Sequence, residues 1–296
     1  MKKLFLVLFI SLFSISSSAA EKVKIVTSIK PLQLVLQELL QDLADVDVLI
    51  PAGASPHHYS LKPSDMRKLA QADLIVWVGP DMEQFLSRPL TKLNRPLLQL
   101  LEGEVEQDKH HEAGREEGHE GHHHDHGDND PHIWLDPLLM LEAATKVRDV
   151  LSQQYPELSS SLGIQYEQFA ASLLATDKAI SSKLAPYKDR GFVVFHDAFS
   201  LLVEHYSLNQ LAYFTVDPGQ APGAKKLANI QEVIKKEKAV CVFLEPQFEA
   251  AVVKRITQGL SVKRGHLDPL AIDISQKQGY SGYLQDMAAR IENCLK

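Results

Sequence analysis

Residues 157–184 read ELSSSLGIQYEQFAASLLATDKAISSKL and are flanked by Pro156 and Pro186. Helical periodicity runs through the stretch, and no proline interrupts it. Proline lacks the N–H that a helix interior uses and crowds the preceding turn, so the segment reads as one helix ending before Pro186. Such a helix is long for an α/β domain. Its place midway along the chain predicts a connector between two lobes.

Strands alternate with helices on both sides of it. Before the connector, strands are expected at 22–27, 46–50, 74–78 and 96–100, with helices at 31–40, 64–70 and 82–87. A further helix at 137–154 leads into the connector. Beyond it, strands are expected at 192–195, 210–215, 239–245 and 261–267, and helices at 198–206, 224–236, 248–258 and 280–294. This alternation predicts an α/β fold of two parallel-sheet lobes with helices on their faces. The expected division is a lobe at 21–156, the linker helix at 157–186 and a second lobe at 187–296.

The first twenty residues have a different character. Lys2 and Lys3 precede an apolar run, and Ser16, Ser17 and Ser18 lead to Ala19-Ala20. This is the layout of a secretory signal peptide, with cleavage expected after Ala20. The run is too short to span a bilayer comfortably. No cysteine follows it, so no lipid anchor is expected. Removing the two lysines takes the formal charge from −7 to −9, which makes nucleic acid a poor partner. Cys241 and Cys294 are the only cysteines. In an oxidising compartment a distant pair reads first as a disulfide; buried thiols and soft metal ligands are the rival readings.

The segment 102–130 breaks the alternation. It is dense in His, Glu, Gly and Asp and too poor in apolar side chains to offset the entropy of ordering, which predicts a mobile loop. His110, His111, His119, His122, His123, His124 and His126 make it a candidate auxiliary zinc binder. His119-Glu120-Gly121-His122-His123 formally fits HExxH. The metalloprotease chemistry needs both histidines on one face of a stable helix, which a glycine-rich polar segment does not supply.

Ligands of open α/β sheets bind beyond the carboxyl ends of the strands. His57 follows the strand expected at 46–50, His196 ends the one at 192–195, and Asp268 follows the one at 261–267. His132 lies where the loop rejoins ordered chain. The surrounding sequences are more specific. Pro51-Ala52-Gly53-Ala54-Ser55-Pro56-His57-His58-Tyr59 with Lys62-Pro63-Ser64-Asp65 resembles the first metal-binding segment of the metal-specific ABC-transporter solute-binding proteins. Asp130-Pro131-His132-Ile133-Trp134-Leu135-Asp136-Pro137 resembles their second. Val194-Phe195-His196-Asp197-Ala198-Phe199 and Gly265-His266-Leu267-Asp268-Pro269-Leu270 resemble the third and fourth. The segments keep the family's order across nearly the whole mature chain. The histidine-rich insert and the cysteine pair are similar to those of its periplasmic zinc-binding members.

The resemblance implies two lobes joined by a rigid backbone helix, with a metal in the cleft between them. It implies His57, His132 and His196 as ligands, with Asp268 as the fourth. Pro56 stands where some relatives carry Glu, which leaves water or His266 as alternatives at that fourth position. Three imidazoles and a carboxylate suit Zn²⁺, whereas Mn²⁺ prefers more oxygen ligands. The implied function is capture of Zn²⁺ as transported cargo and delivery to an inner-membrane zinc ABC permease with its ATPase. The protein would act as a monomer and without catalysis. The rival functions are a manganese binder of the same family, a periplasmic zinc buffer without a transporter, and a zinc-dependent hydrolase. Glu245 would be the hydrolase's base; otherwise it is a carboxylate supporting the cleft.

Overall fold

The computed structural model describes residues 22–101, 130–217, 219–220, 222–246 and 251–296. The expected leader at 1–20 and the seven loop histidines from His110 to His126 lie outside the described residues.

The first sheet is built by β1 (Val23–Thr27), β2 (Ala44–Val48), β3 (Leu74–Trp77) and β4 (Leu97–Gln99). Helices α1 (Lys30–Leu40), α2 (Pro63–Ala70) and α3 (Pro80–Lys92) connect them. Then come α4 (Pro137–Gln154) and the long α5 (Ser159–Leu184). The second sheet comprises β5 (Phe192–His196), β6 (Gln210–Thr215), β7 (Cys241–Leu244) and β8 (Lys263–His266). Its helices are α6 (Ser200–His205), α7 (Ala224–Lys236) and α8 (Ala251–Ile256), and α9 (Gly279–Leu295) closes the fold. Strand orders are β2-β1-β3-β4 and β6-β5-β7-β8, parallel throughout.

Burial follows strand position. Every residue of the central strands β3 (LIVW) and β7 (CVFL) is buried, as parallel strands covered on both faces require. Edge strands are more polar: β2 reads ADVDV and β8 reads KRGH, largely exposed. Successive side chains point to opposite faces, so Ile25 and Val194 join a large inner core. Their neighbours Val26 and Val193 join smaller outer cores, one per lobe.

The inner core is continuous across both lobes. It gathers Ile25 of β1, Leu34 of α1, Val147 of α4, Phe169 of α5, Phe243 of β7, and Tyr280 and Ile291 of α9. Helix α5 buries one stripe, Leu162, Phe169, Leu173, Thr176, Ile180 and Leu184, at helical spacing. Polar contacts add to the seam. The Ser281 amide and hydroxyl donate to Glu38 at 3.0 and 2.6 Å, and the Lys30 ammonium donates to the Ile272 carbonyl at 2.8 Å. Cys241 and Cys294 are disulfide-bonded, Cα–Cα 5.8 Å, tying β7 to α9.

Some elements differ from expectation. β2 begins two residues early, pairing Ala44 with Val23. Leu49 and Ile50 are buried but lie past its end, their amides donating to the Thr27 and Ser28 carbonyls at 2.8 and 3.0 Å. Helix α3 is longer than expected, kinking at Glu83 and continuing past Pro89. Buried Leu86 and Leu90, one turn apart, anchor it across that proline.

Candidate metal centre

Each imidazole is placed by a different kind of local structure. His196 is the last residue of β5, register partner of Thr215 on β6, so the sheet itself sets its position. His132 precedes a short 3-10 turn, Ile133–Leu135. The Asp130 Oδ1 accepts both the His132 amide at 3.0 Å and its ring Nδ1 at 2.8 Å. Trp134 packs edge-on against the His132 ring and donates its indole N–H to the Pro269 carbonyl at 2.6 Å.

His57 sits instead in the long connection between β2 and α2. Gly53 turns the chain there at φ +83°, a conformation that favours glycine. The His57 amide donates to the Ser55 hydroxyl at 3.3 Å. Asp65 anchors the far side, accepting from the Tyr59 hydroxyl at 2.9 Å and the Lys62 amide at 2.8 Å. Elsewhere in the first lobe, at the start of α3, the buried Glu83 carboxylate accepts from the Gly79 amide at 3.0 Å. Burial pushes its carboxyl up to about 7, with Ser28, Gly79 and Val78 opposing the shift.

The structure brings His57, His132 and His196 together, with one potential ligand atom from each inside a mutual distance of 4.8 Å. Among the described residues this is the one such group. Three imidazoles bound to one zinc at about 2.0–2.1 Å, with tetrahedral angles, have ring centroids about 5 Å apart. The observed separations are 5.1, 5.4 and 5.6 Å. All three Nε2 atoms are buried and make no hydrogen bond. Buried polar atoms are normally satisfied, so three orphaned nitrogens on one cluster of rings could share a cation. Burial, then the neighbouring His132 and His196, lowers His57 to about 3, which keeps its ring neutral and its lone pair free.

Carboxylates stand behind the rings. Asp130 holds His132 Nδ1, and the buried Glu245 Oε1 is 3.6 Å from His196 Nδ1, longer than a hydrogen bond. A carboxylate on Nδ1 fixes the tautomer that presents Nε2. The orienting role of Asp130 escaped the sequence reading, although its spacing of two residues before a ligand histidine offered the signal.

Asp268 is buried next to Pro269 but does not belong to the 4.8 Å group. Its carboxylate accepts the Leu270 and Ile272 amides, and burial pushes its pKa up against those bonds. His266 is exposed and also outside the group. His58 turns from the centre, its Nε2 2.8 Å from the Asp217 Oδ1.

Known proteins share both sequence and shape with this chain. Residues 25–294 match the family described as zinc-uptake complex component A, periplasmic, or ZnuA. The high-affinity zinc uptake system protein ZnuA of Yersinia pestis is 37% identical over 309 residues, covering 96% of this chain and 93% of that protein. A crystal structure of ZnuA superposes with a TM-score of 0.78 at 27% identity, covering 93% of this chain and 100% of the other. A zinc-bound ZnuA deletion mutant lacking 138–173 gives 0.76 at 27% identity, covering 93% and 99%. With a family match along almost its whole length and relatives above 30% identity, the chain belongs to the ZnuA family of zinc-uptake complex components.

Proposed function

We propose that this protein captures Zn²⁺ in the periplasm and delivers it to an inner-membrane ABC permease driven by its ATPase. The observation that carries this reading is the trio of buried, unpartnered Nε2 atoms of His57, His132 and His196. Neutral nitrogen donors suit zinc better than manganese. The relatives named for high-affinity zinc uptake support the same cargo. Among the described residues no helix is long and apolar enough to cross a membrane.

Asp268 is the proposed fourth ligand. Trp134 and Tyr283 both donate to the Pro269 carbonyl, which ties the Asp268 turn to the His132 segment. A cation would relieve the burial that raises the Asp268 pKa. Because it stands outside the histidine group, Asp268 closes on the ion from the rim and contributes less than any histidine. The loop histidines serve as a weak auxiliary collector.

The test is calorimetric titration of metal-stripped protein with Zn²⁺ and with Mn²⁺. One tight zinc site is expected, with much weaker manganese binding, and Asp268→Ala weakening zinc by roughly 10–100-fold. Tight zinc binding that survives His196→Ala undiminished would overturn the site. Deletion of the permease should abolish the protein's benefit to zinc-limited growth; an undiminished benefit would point to a buffer instead.

A further inference from the structure

We infer that His58 and Asp217 form a latch across the mouth of the metal centre, which holds the His57 loop closed and sets the rate of zinc release. The inference rests on the proposed zinc site and concerns a pair of residues that are not themselves ligands.

The latch joins parts of the molecule that are 159 residues apart in sequence. His58 follows directly on His57, the one ligand carried by a loop rather than by a sheet end or a 3-10 turn. Its Nε2 meets the Asp217 Oδ1 at 2.8 Å. Asp217 is held ready by its own turn. The Gly219 amide donates to Oδ1 at 2.8 Å and the Gln220 side-chain amide to Oδ2 at 2.9 Å. The Thr215 hydroxyl donates to the Asp217 carbonyl at 2.7 Å. Thr215 is the register partner of His196, and its carbonyl accepts the Asp197 amide at 3.0 Å. The path from His57 through His58, Asp217 and Thr215 therefore ends on the strand beside another ligand. It fixes the movable ligand to the frame that carries the immobile one.

Close packing supports the same role. A Cβ at Gly219 would come within 3.0 and 3.1 Å of the His58 Cδ2 and Nε2, so the turn packs closely on the ring. The His58 side chain is nevertheless 56% exposed, so a protein docking at the mouth can reach it and break the pair. His57 in turn offers a buried Nε2 with no other partner. Once the latch opens, the loop keeps its internal Ser55 bond, the Asp65 anchor and the packing of Ala54 and Tyr59 on the core, none of which reaches the second lobe's Asp217 turn.

The experiment measures zinc dissociation from the full-length protein by chelator competition in wild type, His58→Ala, His58→Gln, Asp217→Ala and the Ala/Ala double variant. Loss of one hydrogen bond to a charged group should speed release about tenfold in each alanine variant. The double variant should be no faster than either single, because both remove one interaction. His58→Gln keeps an N–H donor at similar reach and should stay within about twofold of wild type. A merely structural defect would not be rescued by Gln and would give multiplicative rates in the double variant. Either result, or an unchanged rate in Asp217→Ala, overturns the latch. Backbone hydrogen exchange of residues 54–60 in metal-free protein reads the latch without zinc, and should accelerate in Asp217→Ala and His58→Ala. If the variants show that exchange difference but the wild type binds no zinc, the proposed function fails while the closure itself stands. If zinc binds and neither rate changes, the latch alone fails.

Discussion

The two lobes repeat one strand order, yet they hold the metal centre in different ways. The second lobe presents His196 from the end of a central strand whose five residues are all buried. The first presents His57 from a loop that leaves the sheet after β2 and returns only at α2. A side chain at a sheet end inherits the stiffness of the ladder, whereas one on a loop depends on a few local bonds. In the proposed site the second lobe therefore supplies a fixed ligand, and the first supplies an adjustable one, His57, beside the Asp130-anchored His132. Among the described residues the disulfide falls on the same side as the fixed ligand, joining β7 to α9.

That contrast can be broken most directly by removing each ligand in turn. His196→Ala should reduce zinc affinity by more than about 1000-fold, beyond the 10–100-fold usual for partners that only orient a ligand. His57→Ala should cost clearly less, since water can enter where a loop yields. Equal losses on titration would erase the distinction between fixed and adjustable sides. Next in size is the disulfide. Replacing both cysteines by serine frees a loop of 53 residues and should lower unfolding stability by about 4 kcal/mol, measured by denaturant titration. Zinc affinity of the folded protein should hardly change, because neither cysteine belongs to the histidine group.

A smaller effect sharpens the comparison at the carboxylates behind the rings. Asp130→Asn should weaken zinc about 10–100-fold by loosening the His132 tautomer and orientation. Glu245→Gln should do less, because Glu245 stands 3.6 Å from a ring the strand already fixes. The reverse order would mean that the sheet alone does not orient His196.

A further prediction concerns pH. His57 titrates near 6.5 when unperturbed, and burial lowers it to about 3 in the folded protein. As pH falls through 6.5 the unfolded chain takes up this proton first. The stabilisation is therefore complete above about pH 6.5 and is lost between 6.5 and 3. Metal-free His57→Gln should show a shallower decline of melting temperature over that window than wild type. Zinc affinity of the wild type should weaken over the same range, as protons compete for the ring nitrogens.

Much of this was legible in the sequence because it is periodic or local. The strands stood out where apolar runs are buried on both faces, as in LIVW and CVFL. The long helix stood out because an apolar stripe runs uninterrupted between prolines. Elements governed by tertiary contact were harder to read. Leu49 and Ile50 look like strand residues but lie past the end of β2, buried in the cores, and Pro89 signals an ending that Leu86 and Leu90 override. His57, His132 and His196 were identified by their motifs. Asp268 read as the favoured fourth member, with water or His266 as alternatives, and the fold places it outside the histidine group. No local pattern joins His58 to Asp217, since only the folding of two lobes brings them into reach.

The continuous inner core has a thermodynamic consequence. With apolar packing running from β1 through α5 to α9, the two sheets are expected to melt together in one event rather than two. The centre lies on the boundary that this event destroys, so every zinc ion held there stabilises the whole molecule. Free zinc a hundredfold above the dissociation constant would add about 2.7 kcal/mol to unfolding. The melting temperature of the purified protein is thus a gauge of the free zinc around it.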